Sequence, residues 1–374
     1  MALNNANIDT TGTAVDVSTN KINLEINLTG TNRMVSDTFY ETILLARSNL
    51  IITGAGTLDV SNTTQGNGDV IKTNAGIVDG VRYGDISVVD VSNLKVYTSG
   101  STAKAISCGG DLKIENSLVK ASNTAEYNRT ISVLGNSLIS NSNIDVSAKG
   151  TGAVGLYSEG LSEITNATVK VRSKAASIST KNISISNSNV DAISTENNAI
   201  YATGFLSIKD KSDITVEGYY CGLQARGVDG LNIDGSTVVA NSTADLGVWS
   251  NTSLAITNDS NVTVTGVKGS IGGKTSTTIA PATDQSVDVL VGENKSSATL
   301  LNGAPFSTQT DLDALNVSSN LYFHSKTHSH VASTTWSKDV TSHWHECTAN
   351  DGEKMDVASH TFGDWVIDTP ATET

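Results

Sequence analysis

Proline is almost missing from this chain: Pro281, Pro305 and Pro370 are the only three in 374 residues, all in the last quarter. Nothing before residue 281 therefore forbids a continuous ladder of backbone hydrogen bonds on that ground. Cysteine is as scarce. Cys108, Cys221 and Cys347 lie far apart and form no disulfide framework. Cys108 and Cys221 sit in apolar-patterned segments, which predicts small core thiols rather than reactive ones. Aromatic residues make up 5% of the chain and charged residues 17%, too little charge for the usual disordered composition. The net charge of −14 argues against nucleic acid or an anionic membrane surface as a partner. No apolar run is long enough to span a bilayer, so no membrane insertion is expected in this segment. The opening "MALNNANIDT" has neither the basic flank nor the apolar centre of a signal peptide.

What is abundant is Ser, Thr, Asn and Gly, a composition suited to many short strands and turns. It fits a bacterial protein that is secreted or held at the cell surface, its signal removed. The monotony hides a repeat. The phrase "ISNSNV" from Ile185 to Val190 returns as "IENSLV" at Ile114, "ISNSNI" at Ile139, "ITNATV" at Ile164 and "IDGSTV" at Ile233. Two copies, from Ile208 and Ile256, carry one extra residue. The leading isoleucines are 21 to 25 residues apart. The third position holds Asn116, Asn141, Asn166, Asn187, Asp210, Gly235 and Asn258, the residue types that enter the left-handed region most readily. A sharp bend is predicted at each, with alternating strands on either side. An apolar residue stands eight places before the isoleucine in most copies, as Ile106, Ile131, Leu156, Ile200 and Val248 do.

Short strands joined by such bends, about 23 residues per turn, predict a parallel β-helix solenoid over residues 1–318. A leucine-rich repeat has a similar period, but its Leu-x-x-Leu-x-Leu pattern is absent. "LIITGAGTLDV" (Leu50–Val60) extends the solenoid toward the N-terminus, and "INLEINL" (Ile22–Leu28) adds a first strand. "SIGGKTSTTIAPATDQSVDVLVG" reads as one or two degenerate closing turns. The "NLIITGAGTLDV" phrase followed by stacked short turns resembles the right-handed β-helix carbohydrate-binding surface proteins of clostridial-type, Gram-positive bacteria, over roughly residues 40–280. Many of these bind glycans without cleaving them, which the resemblance carries here as an expectation.

Composition changes near residue 320, where all six histidines and three of the four tryptophans begin. Residues 319–374 are expected to form a small β-rich module and the start of a Thr/Pro linker at "DTPATET". The segment resembles a His/Trp/Cys repeat module of Gram-positive surface proteins, matched here by Trp336, His343, Trp344, Cys347, Gly352, His360 and Trp365. The pattern's second cysteine is missing; Asn350 or Asp351 stands there. His343, His345, Cys347 and His360 are of types that zinc favours, with Asp351 as a further oxygen ligand. The alternative is a mini-core of histidines and aromatics with no metal.

Parallel β-helices also host polysaccharide lyases and hydrolases. The hydrolase signatures Asn-Thr-Asp, Asp-Asp, Gly-His-Gly and Arg-Ile-Lys do not occur, and the solenoid segment holds no histidine. Asp229 and Asp234 near Arg226 are the best lyase candidates, though single charged residues on turns are more often solvated than catalytic. No catalytic residue is assigned, no cofactor is expected on the solenoid, and an enzyme is not expected.

Parity supplies a better candidate. If Leu156, Ile200 and Val248 point inward, the residue after each points outward. That outward column reads Ser107, Ser132, Tyr157, Ser179, Tyr201, Gln224, Trp249, with an aromatic on every second of the last five turns. Such rings would lie roughly 9–10 Å apart, twice the sheet spacing, and suit stacking against sugar faces. Tyr157, Tyr201 and Trp249 are therefore the candidate ligand-binding residues, of a monomer, toward a polysaccharide or cell-surface glycan. The rival expectations are edge packing of these rings against loops, and a structural stalk or adhesin that meets a host or cell-wall protein.

Overall fold

The computed structural model describes residues 1–17, 22–37, 41–64, 66–78, 81–273, 277–283, 285–312, 320–348 and 354–361. The fold is all-β, a parallel β-solenoid of about 10 turns followed by a small antiparallel sheet. Each full turn contributes three strands, so the solenoid has a short, a middle and a long face. One turn runs through Ile200–Ala202 (short), Leu206–Lys209 (middle) and Asp213–Gly218 (long). Where no corner separates short from middle, a single strand covers both faces, as in Val154–Thr165 and Ile178–Ser186.

The sequence repeat is the register of this sheet. On the middle face, Ile114 pairs with Ile139, then Ile164, Ile185, Ile208, Ile233, Ile256 and Ile279 follow in one hydrogen-bonded column. Upstream the column continues through Val88 and Ile52 to Ile26. On the long face Val119, Ile144, Val169, Val190, Ile214, Val238 and Val262 stack in the same way. All are buried. β-Branched aliphatic side chains stacked at the strand spacing of about 4.8 Å form a continuous buried column, and β-branching suits the pleated backbone.

The corner between middle and long faces is built as its residues predict. Asn116, Asn141, Asn166, Asn187, Asp210, Gly235 and Asn258 all have positive φ, between 45° and 58°. One residue later, or two where Lys211 and Asp259 are inserted, comes a buried serine in six of these seven turns, and it carries the corner's hydrogen bonds. Ser212 Oγ accepts from the Ser188 amide at 3.3 Å and donates to the Lys209 carbonyl at 2.6 Å. Ser117, Ser142, Ser188, Ser236 and Ser260 repeat the pattern. Each hydroxyl thus satisfies an amide that the bend removes from the ladder. Ala167 occupies this position in one turn and lacks the hydroxyl.

The ends differ from expectation. Residues 2–4 already form a strand, paired in parallel with Asn27–Thr29, so the solenoid begins before Ile22. Gly76–Val78 and Val81–Tyr83 form an antiparallel ribbon that the repeat did not show. Gly269–Gly273 and Thr277–Ala280 still pair in parallel with the coil before them, as one closing turn; beyond Ala280 the parallel coils stop and the segment is antiparallel rather than a second turn. Thr310–Leu312 pairs with Thr277–Ile279, and Tyr322–Ser329 lies between Asn261–Thr265 and Gln285–Gly292. The physical reason is edge protection: a parallel coil leaves an open strand that invites pairing, and a reversed strand covers it. Phe323 is fully buried in that covering strand, with His324 Nδ1 2.9 Å from Thr263 Oγ1. Burial lowers the His324 pKa below its ordinary value, followed by repulsion from Lys326. The expected boundary at 318/319 falls among residues outside the described ones, and the histidine-rich text from Tyr322 to Ser329 packs with the solenoid. The small module proper is the sheet Ala332–Lys338, Ser342–Cys347 and Lys354–Ser359.

Candidate functional site

The short face is where chemistry gathers. Its strands are three residues long in most turns: two side chains point into the core and only the middle one faces out. Register places Ser107, Ser132, Tyr157, Ser179, Tyr201, Gln224 and Trp249 in one outward column, as parity predicts. The three aromatics are half-buried, with their neighbours Leu156, Ile200 and Val248 in the core. The column ends at Gly272, which pairs with Trp249. A Cβ on Gly272 would come within 2.3 Å of Leu246 Cδ1, so the absent side chain leaves Leu246 its place beside the tryptophan.

Within the row the structure treats the rings differently. The Arg129 guanidinium lies 3.2 Å above the centre of the Tyr157 ring, so one face of that ring is already covered. Tyr201 and Trp249, two coils apart, instead flank Arg226. Its guanidinium carbon is 5.8 Å from each ring centre, and its Nη1 is 3.5 Å from the Tyr201 hydroxyl. That is the outer range of cation–π attraction, enough to orient an exposed side chain but not to consume its charge.

These groups line a groove of about 490 Å³ with Asn198, Tyr220, Gln224 and Asp245. Gln224, between the two rings in the register, accepts a hydrogen bond from Asn198 Nδ2 at 2.8 Å through its Oε1. Asn198 is only 7% exposed, and its Oδ1 has no hydrogen-bond partner. A buried unpartnered amide oxygen is costly, and such groups gather where a ligand or water completes the set. Tyr220, packed edge-on against Tyr219 at 5.0 Å, forms an aromatic lip. Asp245 stands 3.6 Å from Lys268. Cys221 also borders the groove, but burial pushes its thiol up to about 12, with Asp245 adding to the shift, so it is no nucleophile at neutral pH.

Repeat and parity arguments missed Arg129, Asn198, Tyr220 and Asp245 as members of this site. Arg226 drew notice only as a partner for acids. Tyr219 and Tyr220 carried the available signal: two consecutive tyrosines at a corner cannot both face the core. Arg226 turns to the rings, whereas Asp234 accepts hydrogen bonds from Thr257 and Asn258 at another corner, and Asp229 is exposed.

In the C-terminal sheet, His343, His345 and Cys347 share the strand Ser342–Cys347, with Cys347 buried. His343 and His345 pack on Trp336, with ring centres 4.7 and 3.8 Å away, and His343 stacks on His360 at 5.4 Å. On the same strand Trp344 donates to Glu346 Oε1 at 2.7 Å under the Lys354 ammonium. Among the described residues no three His, Cys, Asp or Glu side chains are grouped as a metal ion requires. The predicted donors His343, His345 and His360 are engaged in ring packing, and Asp351, Gly352 and Trp365 lie outside the described residues. Also among the described residues, no helix is long and apolar enough to cross a membrane.

The fold and groove define a β-solenoid with an aromatic, half-open face. No protein-family model matches the chain, and no curated protein or solved structure matches it.

Proposed function

We propose that this chain is a non-catalytic glycan-binding solenoid of a secreted or surface-held bacterial protein, with Tyr201 and Trp249 as its sugar platforms. The observation that carries this reading is the pair of rings two coils apart on a rigid sheet, with polar amides between them. Roughly 9–10 Å separates every second strand of a sheet, a spacing that meets alternate sugars of an extended chain. Aromatic faces supply apolar contact to the C–H faces of pyranose rings, and the Asn198 and Gln224 amides supply hydrogen bonds at the ring edges. Tyr157, its ring face under Arg129, serves as an outlying contact rather than a platform.

A glycan array tests this reading directly. The wild-type chain is expected to bind, and Trp249→Ala combined with Tyr201→Ala is expected to reduce binding by about a hundredfold, as for loss of paired stacking anchors. No bound glycan on a broad array would overturn it. A stalk that meets a protein partner is the second reading, favoured by the exposed Tyr127, Tyr219 and Tyr220 at the corner leading into the short face. Substituting those corner tyrosines then abolishes adhesion while Trp249→Ala does not.

A further inference from the structure

Resting on that glycan-binding reading, we propose that the groove between Tyr201 and Trp249 is selective for carboxylated glycans, uronate-containing chains whose carboxylate meets Arg226. The chain as a whole carries a net charge of −14, so an uncommitted cation on a recognition face runs against its overall field. Three carboxylates on the turns of this face have lysine partners. Asp69 lies 3.7 Å from Lys72 and 3.8 Å from Lys104, Glu196 lies 3.9 Å from Lys174, and Asp245 lies 3.6 Å from Lys268. Arg226 and Arg129 differ: among the described residues neither is joined to a carboxylate, and both are set against rings of the aromatic row.

Geometry fits the assignment. The Arg226 guanidinium is exposed and equidistant from the two platforms, so a sugar bridging them brings its edge substituent to the cation. A planar carboxylate takes two parallel hydrogen bonds from a guanidinium fork. The ring faces on either side restrict water around that pair and strengthen it relative to bulk solvent. Asn198, nine-tenths buried, holds Gln224 between the two rings through its Nδ2–Oε1 hydrogen bond of 2.8 Å. A single guanidinium answers one carboxylate, which favours the one carboxylate per sugar of a uronate chain over a heavily sulfated one.

The decisive comparison pairs chains that differ only in charge. Calorimetric titration of the full chain would use oligogalacturonate against its methyl ester, glucuronoxylan against unsubstituted xylan, alginate oligomers, and dextran sulfate. The expected result is binding of a uronate chain about tenfold tighter than its neutral counterpart, weakened by added salt. Arg226→Gln is expected to bring the ratio of acid to neutral affinity close to one, and Arg226→Lys to retain part of the preference. Equal affinity for acid and ester, an unchanged preference in Arg226→Gln, or tightest binding of dextran sulfate overturns the carboxylate assignment and leaves glycan binding standing. Binding of none of the probes, together with a silent glycan array, overturns both. Since Arg226 is exposed and outside the core, unchanged thermal unfolding of its variants confirms that affinity alone was altered.

Discussion

Two residue types decide the local geometry of the solenoid, the asparagine at the bend and the serine after it. Asn187 holds φ 45°, where a Cβ-bearing residue other than Asn, Asp or Gly meets a penalty of about 1–2 kcal/mol. Asn187→Ala is therefore expected to destabilise the chain by about that amount and Asn187→Gly by much less, read from denaturant unfolding. The serine supplies what the bend takes away. In the one turn that carries Ala167, the next serine still receives its own bond: Ser188 Oγ accepts from the Ala167 amide at 3.1 Å. Ala167→Ser would extend the serine column between Ser142 and Ser188. It is expected to raise stability by about 0.5–1.5 kcal/mol, the net value of a hydrogen bond made in a site already shaped for it. A fall in the unfolding midpoint would show that the corner has no room for the hydroxyl. On the short face Arg226 stands against two rings contributed by two other turns.

Strands here are short, and none is stable alone; each is held by the coils on either side of it. That makes the last coil the weak element, because its outer edge has no further parallel neighbour. The strand Tyr322–Ser329 covers it from the opposite direction, and Phe323, opposite both Val264 and Val291 in the register, anchors that cover. Phe323→Ala is expected to cost about 3–5 kcal/mol. Amide hydrogen exchange is expected to rise first in Asn261–Thr265 and Gln285–Gly292 and to leave the central coils protected. Uniform loss of protection along the solenoid would contradict an end cap of this kind. The strands of the short face follow the same logic. With a single outward side chain per turn, such a face presents one column of residues rather than a broad patch.

Across the whole molecule, one interior runs from Ile26 to Ile279 and holds Cys108, while Cys221 is buried at a corner beside the groove. Burial pushes their thiols up to about 11 and about 12, above the ordinary value of 9.0 that an unfolded chain would show. The sign follows. Below about pH 9 both states keep their protons and this contribution to stability is fully present. Between pH 9 and the folded values the unfolded chain loses protons first, so stability falls as pH rises. The melting temperature is expected to drop as pH rises from 9.0 to about 11, and the drop to shrink in a Cys108→Ala, Cys221→Ala chain, within the window those shifts define. A pH profile identical in the two proteins would assign the effect elsewhere.

How much of this was legible beforehand depends on range. The asparagine and serine positions, the isoleucine column and the outward row from Ser107 to Trp249 are properties of a repeat. A stacked fold converts sequence period directly into spatial register, because each turn's neighbour is one period away. Strand parity then fixes which side chain faces out. The antiparallel close, the inserted ribbon at residues 76–83 and the histidine packing around Trp336 belong to no period, so nothing in the repeat announced them. The same holds for the difference between Tyr157, under Arg129, and Tyr201 and Trp249, open around Arg226. Both arginines stand at or beside corners between strands, where side-chain direction is set by the packing of adjacent coils rather than by alternation. The row of rings was therefore written in the sequence. Which of them remain open to a ligand, and which cation stands between them, was decided only when the coils stacked.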